Sequence, residues 1–368
     1  MIKMFKYEFK KNLKASLIIS VILLAITLVV LSTSNFVYVH DYTRIGVDKD
    51  SLYASLVRWN GYVIDNGKAF LYPINPPLSL FVVYGITLSF IYAIIEFSFK
   101  TKKIEVDAMY SLPITRRNLY LAKFFNGLVN VLIPTLICYI VSVIYIACSY
   151  NLYNMWGFIL YLPILIVFIF LAFSVFSFAF TRGNNIADGV VTILFIVSLS
   201  LMIELFRETT DIFYTRQTYS DGYETIFAPF VYVTNMIADL IRRKTTEYTF
   251  VGQYWLYINL FLSILSFVLF VYLTGKEKAE DAESRTDSWF SYKTFIPLYT
   301  FIMISISGDL LLTLIFVASA YFIYVYKNKS FKIKTHELIT LLAVTILGLL
   351  VQQQVYGATA FTNLLFNR

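Results

Sequence analysis

Long apolar segments recur along this chain, and they constrain its fold more than any other feature. Ser16–Ser32 and Met155–Phe180 contain no charged residue, and Leu78–Phe99 contains a single one, Glu96. A helix needs about 20 apolar residues to cross about 30 Å of hydrocarbon. In lipid, a helix satisfies all its backbone hydrogen bonds within its own segment. The sequence therefore predicts an all-α, polytopic membrane protein built as a helical bundle.

The composition agrees with a membrane location. Hydrophobic residues make up 58% of the 368 residues and charged residues 14%, whereas a soluble domain averages about 25% charged residues. The formal net charge is +7, a sign that nucleic-acid-binding proteins share. Here, however, the Lys and Arg residues flank the apolar segments, as they do in membrane proteins. We therefore expect a lipid bilayer around the chain and no nucleic-acid partner.

The apolar segments predict six core transmembrane helices. These are Ser16–Ser32, Leu78–Phe99, Leu121–Ser149, Met155–Phe180, Ile186–Leu205 and Tyr254–Thr274. Two large polar segments, 35–77 and 206–253, separate some of them and are predicted as outer loops. Residues 1–15 precede the six-span core (16–285), and residues 286–368 follow it as a C-terminal membrane segment.

The C-terminal segment predicts two or three further helices. Thr294–Tyr326 is apolar except around Asp309, and as a single helix it would be about 50 Å long, which is too long for a bilayer. The sequence SGD at 307–309 divides it and predicts a short hairpin. The last apolar run, Leu338–Val351, is short enough to lie at the membrane interface. The number of spans after residue 293 and the side of the C-terminus stay open.

The first residues predict an amphipathic helix. Ile2, Phe5, Phe9 and Leu13 recur at three- and four-residue steps, and lysines occupy the other sides. This pattern is typical of a helix that lies in the headgroup plane with its apolar face in the lipid. We therefore expect residues 1–15 to form an interfacial elbow helix.

The distribution of basic residues predicts the orientation. With the N-terminus in the cytoplasm, about 20 of the 30 Lys and Arg residues fall in the inner segments, although the outer loops are longer. The segment between the second and third spans, residues 100–120, is then cytoplasmic. We call it the inter-span segment.

No sequence motif for soluble catalysis is present. The chain lacks the phosphate loop G-x-x-x-x-G-K-[ST], the dinucleotide motif G-x-G-x-x-G, the metalloprotease motif H-E-x-x-H and the nucleophile motif G-x-S-x-G. We therefore expect that the chain is not itself an enzyme, has no catalytic residues, hydrolyses no ATP and binds no metal or other cofactor.

Three acidic residues form a candidate intramembrane polar site. Glu96, Asp188 and Glu204 lie within or beside the predicted spans, where charge is costly and often functional. All three lie near a span end, so local pairing competes with a role in a proton or substrate relay. A secondary transporter would place such groups near the middle of the membrane.

The inter-span segment predicts a helix, a bend and a second helix. The second span can continue as helix towards Ser111, and Pro113 disfavours helix at Leu112. Thr115 can cap a new helix that begins at Arg116. We expect this second helix to present Leu119 and Tyr120 to the cytosol.

Apolar residues in the inter-span segment suggest a docking surface. Met109, Tyr110, Leu112 and Ile114 stand among charged residues, and exposed apolar clusters rimmed by charge mark interaction sites. The alternative is an ordinary basic loop that only sets the topology, and this alternative leaves the four apolar residues unexplained.

The sequence around this segment, EFSFKTKKIEVDAMYSLPITRRNLYLAKFFNGLVNVLIPTLICY, resembles the signature region of bacterial ABC exporter permeases of the type-2 class. The shared features are an acidic residue at Asp107, an SLP step at 111–113, the basic pair Arg116–Arg117 and a hydrophobic-Lys pattern ending at Lys123. KEKAEDAE, after the sixth span, resembles the end of the core in a Gram-positive subset associated with antimicrobial peptides or envelope stress. The resemblance covers about residues 1–285.

The resemblance implies a permease subunit without its own ATPase. In this family a cytoplasmic coupling helix after the second span docks on a separate ATPase subunit, which binds ATP and Mg²⁺. The positions that carry this role here are Asp107, Met109, Tyr110, Leu112, Arg116 and Arg117. Two ATPase subunits and a second permease copy or homologue would complete an exporter of a peptide or amphipathic substrate in the bacterial cell membrane. The alternatives are an ion-driven secondary transporter and a membrane sensor, both acting without an ATPase.

Overall fold

Long helices dominate the fold. The structure is a computed structural model, and it describes residues 2–33, 40–41, 62–65, 68–71, 78–149, 156–210, 234, 237, 254–276, 280, 282–284, 286, 291–307 and 309–356. Within these residues ten α-helices are defined: α1 (Ile2–Thr33), α2 (Leu78–Phe97), α3 (Lys103–Tyr110), α4 (Arg116–Ser149), α5 (Trp156–Phe180), α6 (Ile186–Thr210), α7 (Tyr254–Thr274), α8 (Tyr292–Ile306), α9 (Leu310–Asn328) and α10 (Thr335–Tyr356).

Six helices among the described residues are long and apolar enough to cross a membrane. They are Phe5–Ser32, Leu78–Thr101, Arg116–Cys148, Gly157–Phe180, Leu310–Asn328 and Thr335–Gln353. Shorter apolar helices occupy Ile186–Leu199, Leu260–Thr274 and Tyr292–Ile306. The structure is thus consistent with the predicted polytopic helical membrane protein.

A small antiparallel sheet adds to the predicted all-α fold. Strands β2 (Tyr62–Asp65) and β3 (Lys68–Leu71) pair in register, and the two-residue strand β1 (His40–Asp41) pairs with the other edge of β3. The strand order is β1-β3-β2. These strands lie in segment 35–77, which we predicted only as a polar outer loop. The predicted outer loop 206–253 lies largely outside the described residues.

Helix α1 differs from the prediction at the N-terminus. The predicted elbow helix (1–15) is not separated from the first span, because Ile2–Thr33 is one continuous helix. The sequence from Ile2 to Thr33 contains neither Pro nor Gly, so no residue in it favours a break. The amphipathic pattern of the first residues is therefore carried by the first turns of the spanning helix itself.

The chain forms two compact units that interleave along the sequence. The first comprises Met1–Glu96, Asn118–Ser174 and Phe227–Leu260, and the second comprises Phe97–Arg117, Val175–Ile226 and Phe261–Arg368. We predicted segment boundaries at residues 15 and 285 from the order of the apolar runs along the chain. These boundaries stay a prediction.

Hydrogen bonds and a ring contact join α1, α2, α4 and α5 in the first unit. The hydroxyl groups of Thr27 and Tyr84 lie 3.1 Å apart and link α1 to α2. The hydroxyl group of Tyr161 on α5 donates a 3.1 Å hydrogen bond to the carbonyl of Leu78 at the start of α2. The ring of Tyr139 on α4 packs edge-on against Phe81, with ring centroids 5.2 Å apart. These contacts thus fix each helix to a neighbour at a defined position along the helix axis.

The second unit places α8 against α6, α9 and α10. Tyr292 and Ile296 on α8, Ala320 and Tyr324 on α9, and Leu341 on α10 form a buried apolar cluster. At Gly348 on α10, an added Cβ would lie only 2.8 Å from a methyl carbon of Ile304. The absence of a side chain at Gly348 therefore allows α10 to approach α8 closely.

The predicted hairpin at SGD is confirmed. Helix α8 ends at Ile306, and Asp309 caps α9 by accepting a 3.1 Å hydrogen bond from the backbone nitrogen of Leu311. At the other end of α9, the buried ammonium of Lys327 pairs with Glu337 of α10 at 2.9 Å.

Helix α10 is longer than the apolar run from which it was predicted. It spans 22 residues (Thr335–Tyr356), because the polar residues at both ends of the run also adopt helix. The run Leu338–Val351 was predicted to be short enough to lie at the membrane interface. The helix that contains it is longer, so its length does not require an interfacial position.

We predict that Gly127→Leu destabilises the first unit. A Cβ at Gly127 would lie 2.4 Å from the ring of Phe173 and 3.0 Å from Cγ of Glu96, and overpacking a core costs about 1–3 kcal/mol. The matched control is Gly275→Ala, since the nearest atom to its added Cβ is 4.0 Å away. Thermal unfolding in detergent should show a lower midpoint for Gly127→Leu alone, and equal midpoints would contradict this packing.

Candidate functional site

The inter-span segment begins with a break that the sequence did not predict. Helix α2 ends at Phe97, a 3₁₀ turn follows at Ser98–Thr101, and Lys102 is extended. Within the second unit, the buried ammonium of Lys100 donates to the carbonyl of Thr181, just after the end of α5. The prediction of one continuous helix through Ser111 is therefore wrong. The 3₁₀ turn thus places the ammonium of Lys100 against the carbonyl of Thr181. Carbonyl groups at the C-terminal end of a helix have no partner within the helix and need such a donor.

The predicted bend at Pro113 is confirmed. Helix α3 ends at Tyr110, the nitrogen of Ser111 donates to the carbonyl of Asp107 at 3.1 Å, and α4 begins at Arg116. Between them, the nitrogen of Ile114 donates to the carbonyl of Leu112 at 2.7 Å in a tight turn. Two helices therefore meet at a short bend, as expected when proline excludes helix from the residue before it.

One face of α3 is anchored and the other is exposed. Val106 is buried, and the backbone nitrogen of Lys103 donates to the carboxylate of Glu283 at 3.2 Å. An acidic group at a helix N-terminus is stabilised by the helix dipole. On the opposite face Ile104 is 85% exposed. The contribution of Glu283 was missed because nothing in the sequence shows which acidic residue of the linker would reach α3.

The predicted contact residues lie together around the bend. Asp107, Arg116 and Arg117 are exposed, Leu112 is 40% exposed, and Met109 and Tyr110 are partly exposed. The guanidinium carbon of Arg116 lies 4.8 Å from the ring centroid of Tyr110, which is the geometry of a cation–π contact. This contact ties the start of α4 to the end of α3.

Sequence reasoning overlooked one residue of this surface and misplaced two others. Ile104 was not selected, although it lies one helical turn before Asp107 and so shares its face of α3. Leu119 and Tyr120, which we expected to face the cytosol, are 1% and 0% exposed. Both residues belong to the first unit, in which these first turns of α4 are buried. We call the exposed set Ile104, Asp107, Leu112, Arg116 and Arg117 the α3 surface.

The candidate intramembrane acids have separate environments. Glu96 belongs to the first unit and Asp188 to the second. The backbone of Glu204 lies in α6, and its side chain lies outside the described residues. The structure therefore describes two separate polar groups, one around Glu96 and one around Asp188.

Glu96 lies in a buried cluster formed by α1, α2 and α4. Its Oε1 accepts hydrogen bonds from the amide nitrogens of Asn12 and Asn126, at 2.9 and 2.7 Å. Its Oε2 is 3.9 Å from the ammonium of Lys123, which also pairs with Glu8 at 2.8 Å. Glu8, Glu96 and Lys123 are each less than 7% exposed. We call these five residues the Glu96 cluster.

The sequence signal for the Glu96 cluster was incomplete. Glu96 was selected, and Lys100, one turn away on the same chain segment, is the nearest basic residue in the sequence. The structure instead directs Lys100 to Thr181 and brings Lys123 to Glu96. Glu8 and Asn12 were missed because residues 1–15 were predicted to lie in the membrane plane as an elbow helix. Their four-residue spacing is the signal that could have identified a shared polar face.

Asp188 lies in the first turn of α6 and exchanges hydrogen bonds with Asn185, which caps the helix. The side-chain oxygen of Asn185 accepts from the nitrogen of Asp188, and the Asn185 amide donates back to Asp188, both at 2.8 Å. Tyr292 and Thr286 also donate to Asp188, at 2.8 and 2.6 Å. The carboxylate thus lies in the first turn of α6, where the helix dipole favours negative charge.

A cavity of about 400 Å³ borders Asp188, Tyr292, Lys327 and Lys329 in the second unit. The acceptor oxygens of Asp188 are already bonded by three side chains, and Lys327 is neutralised by Glu337. Asp188 is therefore committed to joining α6 to α8, and Lys327 to joining α9 to α10. Among the described residues there is no group of three or more His, Cys, Asp or Glu side chains that could hold a metal ion.

Comparison of the chain with protein-family models, with curated proteins and with solved structures gave no match.

We predict that Lys123→Met is far more destabilising than Glu8→Gln. Removing Lys123 leaves two buried carboxylates without their cation, and breaking a buried pair in this way costs about 3–5 kcal/mol. Glu8→Gln leaves Lys123 with Glu96, so one opposite-charge contact remains. Thermal unfolding in detergent measures the order of the two variants.

The matched control is Lys102→Met. Lys102 forms a 2.7 Å salt bridge with Glu105, and the two side chains are 57% and 42% exposed. Exposed pairs contribute at most about 1 kcal/mol. An effect of Lys123→Met no larger than that of Lys102→Met would show that the Glu96 cluster does not stabilise the first unit.

Proposed function

We propose that this chain is the membrane-spanning permease subunit of an ABC transporter in the bacterial cell membrane. It pairs with a second permease copy or a homologue, and two separate ATPase subunits that bind ATP and Mg²⁺ dock on its cytoplasmic inter-span segment. The complex exports a peptide or an amphipathic substrate.

The observation that carries this proposal is the α3 surface. Ile104 is 85% exposed and Leu112 is 40% exposed, and exposed charges of both signs flank them at Asp107 and Arg116. Apolar side chains rimmed by charge are typical of protein interaction sites. A loop that only sets the topology needs the basic residues but not the exposed apolar ones.

The local structure suits the transmission of force. On one face, α3 is held by buried Val106 and by the contact between Lys103 and Glu283, and its C-terminal end is tied to Arg116. A partner bound to the opposite face would therefore move an anchored helix rather than a loose loop. An ATPase drives a change in the permease only if it binds two conformations with different affinity. Closing on ATP provides that difference.

The second candidate function is an ion-driven secondary transporter that acts without an ATPase. The buried carboxylates of Glu8 and Glu96 favour it, since ionisable groups within a membrane bundle mark ion pathways. The two functions are distinguished by reconstitution in liposomes. Uptake driven by an ion gradient with this chain alone supports the secondary transporter, and uptake that requires ATP and an ATPase subunit supports the permease.

We predict that Leu112→Asp and Ile104→Asp each reduce the amount of ATPase that co-purifies with the tagged chain by about tenfold or more, because a charge in an apolar contact costs more than about 1.4 kcal/mol. The measurement is the molar ratio of phosphate-loop ATPase to permease after gentle purification. The matched control is Phe331→Asp, which alters a 78% exposed apolar residue of another basic segment and should leave the ratio unchanged.

Cysteine cross-linking tests the same contact without disturbing the fold. Cys148 is exposed and Cys138 is buried, so Cys148→Ser provides the background. Ile104→Cys should then cross-link to the ATPase subunit, whereas Phe331→Cys should not. A chain that co-purifies with no ATPase, or cross-links equally at both positions, would contradict the proposal.

A further inference from the structure

The buried charges of the Glu96 cluster do not balance. Two carboxylates, Glu8 on α1 and Glu96 on α2, face one ammonium, Lys123 on α4. The hydroxyl of Tyr92, on the same helix as Glu96, is a further titratable group beside it. With both carboxylates ionised the cluster carries one net negative charge, and an uncompensated charge away from water is costly.

Asn126 makes one hydrogen bond to Glu96 and has one unused acceptor. Its amide nitrogen donates to Oε1 of Glu96 at 2.7 Å. Asn126 is fully buried, and its amide oxygen has no hydrogen-bond partner among the residues that the structure describes. An ionised carboxylate only accepts hydrogen bonds, whereas a carboxylic acid also donates one. A protonated Glu96 can therefore supply the donor that the amide oxygen lacks.

We propose that the Glu96 cluster is a binding site for one exchangeable proton, held on Glu96 and shared with the amide oxygen of Asn126. A proton delivered by water forms the O–H bond of the carboxylic acid, and the charge of the cluster changes from minus one to zero. Lys123 keeps its own proton and stays paired with Glu8. The site stands independently of the proposed ATPase partner.

A proton fits this site better than a metal cation. Oε1 of Glu96 already accepts two N–H groups, and Oε2 lies 3.9 Å from the ammonium of Lys123. A monovalent metal ion would need several free oxygen ligands and would be repelled by this ammonium. A proton needs one oxygen and becomes part of a neutral group.

A second layer of polar groups extends the site by one helical turn. Ser16, Tyr92 and Asn130 lie four residues from Asn12, Glu96 and Asn126 respectively, and all three are buried. In the described part of the chain, both amide atoms of Asn130 have no hydrogen-bond partner, and the hydroxyl groups of Ser16 and Tyr92 lie within hydrogen-bond reach of each other. Pro134 also has no N–H to donate to the backbone carbonyl of Asn130. These groups offer a proton leaving Glu96 further acceptors along the same helix faces.

The test is infrared difference spectroscopy of the full chain in lipid nanodiscs, with a pH step in sodium-free buffer. The expected result is a carbonyl band of a protonated carboxyl group that grows as the pH falls. Glu96→Gln should remove this band. Glu105→Gln, which alters a partly exposed carboxylate, should leave it unchanged and serves as the matched control.

Asn126→Leu distinguishes the shared proton from a simple structural role of Asn126. In this variant the acid loses its acceptor, so the band should persist and move to higher wavenumber. This readout applies even if Glu96→Gln does not fold. The proposal is overturned if the band survives Glu96→Gln, if Asn126→Leu leaves its position unchanged, or if sodium at constant pH abolishes it.

Discussion

One ammonium group, that of Lys123, holds three helices of the first unit together. It lies 2.8 Å from Glu8 on α1 and 3.9 Å from Glu96 on α2, and all three side chains are buried. In a bundle surrounded by lipid, apolar side chains gain little from leaving one apolar environment for another. Charged contacts of this kind therefore determine which helix faces meet and at what height. Gly127 serves the same contact, because the missing side chain leaves room for Glu96.

The sequence predicted the elements that depend on local chemistry. Pro113 ends α3 and SGD separates α8 from α9, because both effects arise from backbone restrictions of the residues themselves. The apolar runs predicted the long helices because a run of sufficient length satisfies the bilayer constraint by itself. The continuous α1 was missed because amphipathicity describes the faces of a helix and not the point at which it ends.

The contacts that depend on distant residues could not be read from the sequence. Lys100 lies one turn from Glu96 in the sequence, yet it binds the carbonyl of Thr181, 81 residues away. Glu283 reaches Lys103 across 180 residues. Leu119 and Tyr120 were interpreted as exposed because charged residues surround them in sequence, although their own helix faces are buried. In each case the deciding partner lies on another element.

Asp188 and Glu96 gave the same signal in the sequence, an acidic residue near the end of an apolar run, but their surroundings differ in kind. Asp188 accepts hydrogen bonds from Asn185, Thr286 and Tyr292 at the start of a helix, so its charge is stabilised where it stands. Glu96 shares its cation with a second carboxylate and accepts a hydrogen bond from Asn126, whose amide oxygen has no hydrogen-bond partner among the described residues. An acidic side chain in a membrane helix is therefore weak evidence of function when its oxygens are saturated. It is stronger evidence when charge and hydrogen bonds around it are unbalanced, since a buried polar group without a partner calls for an explanation.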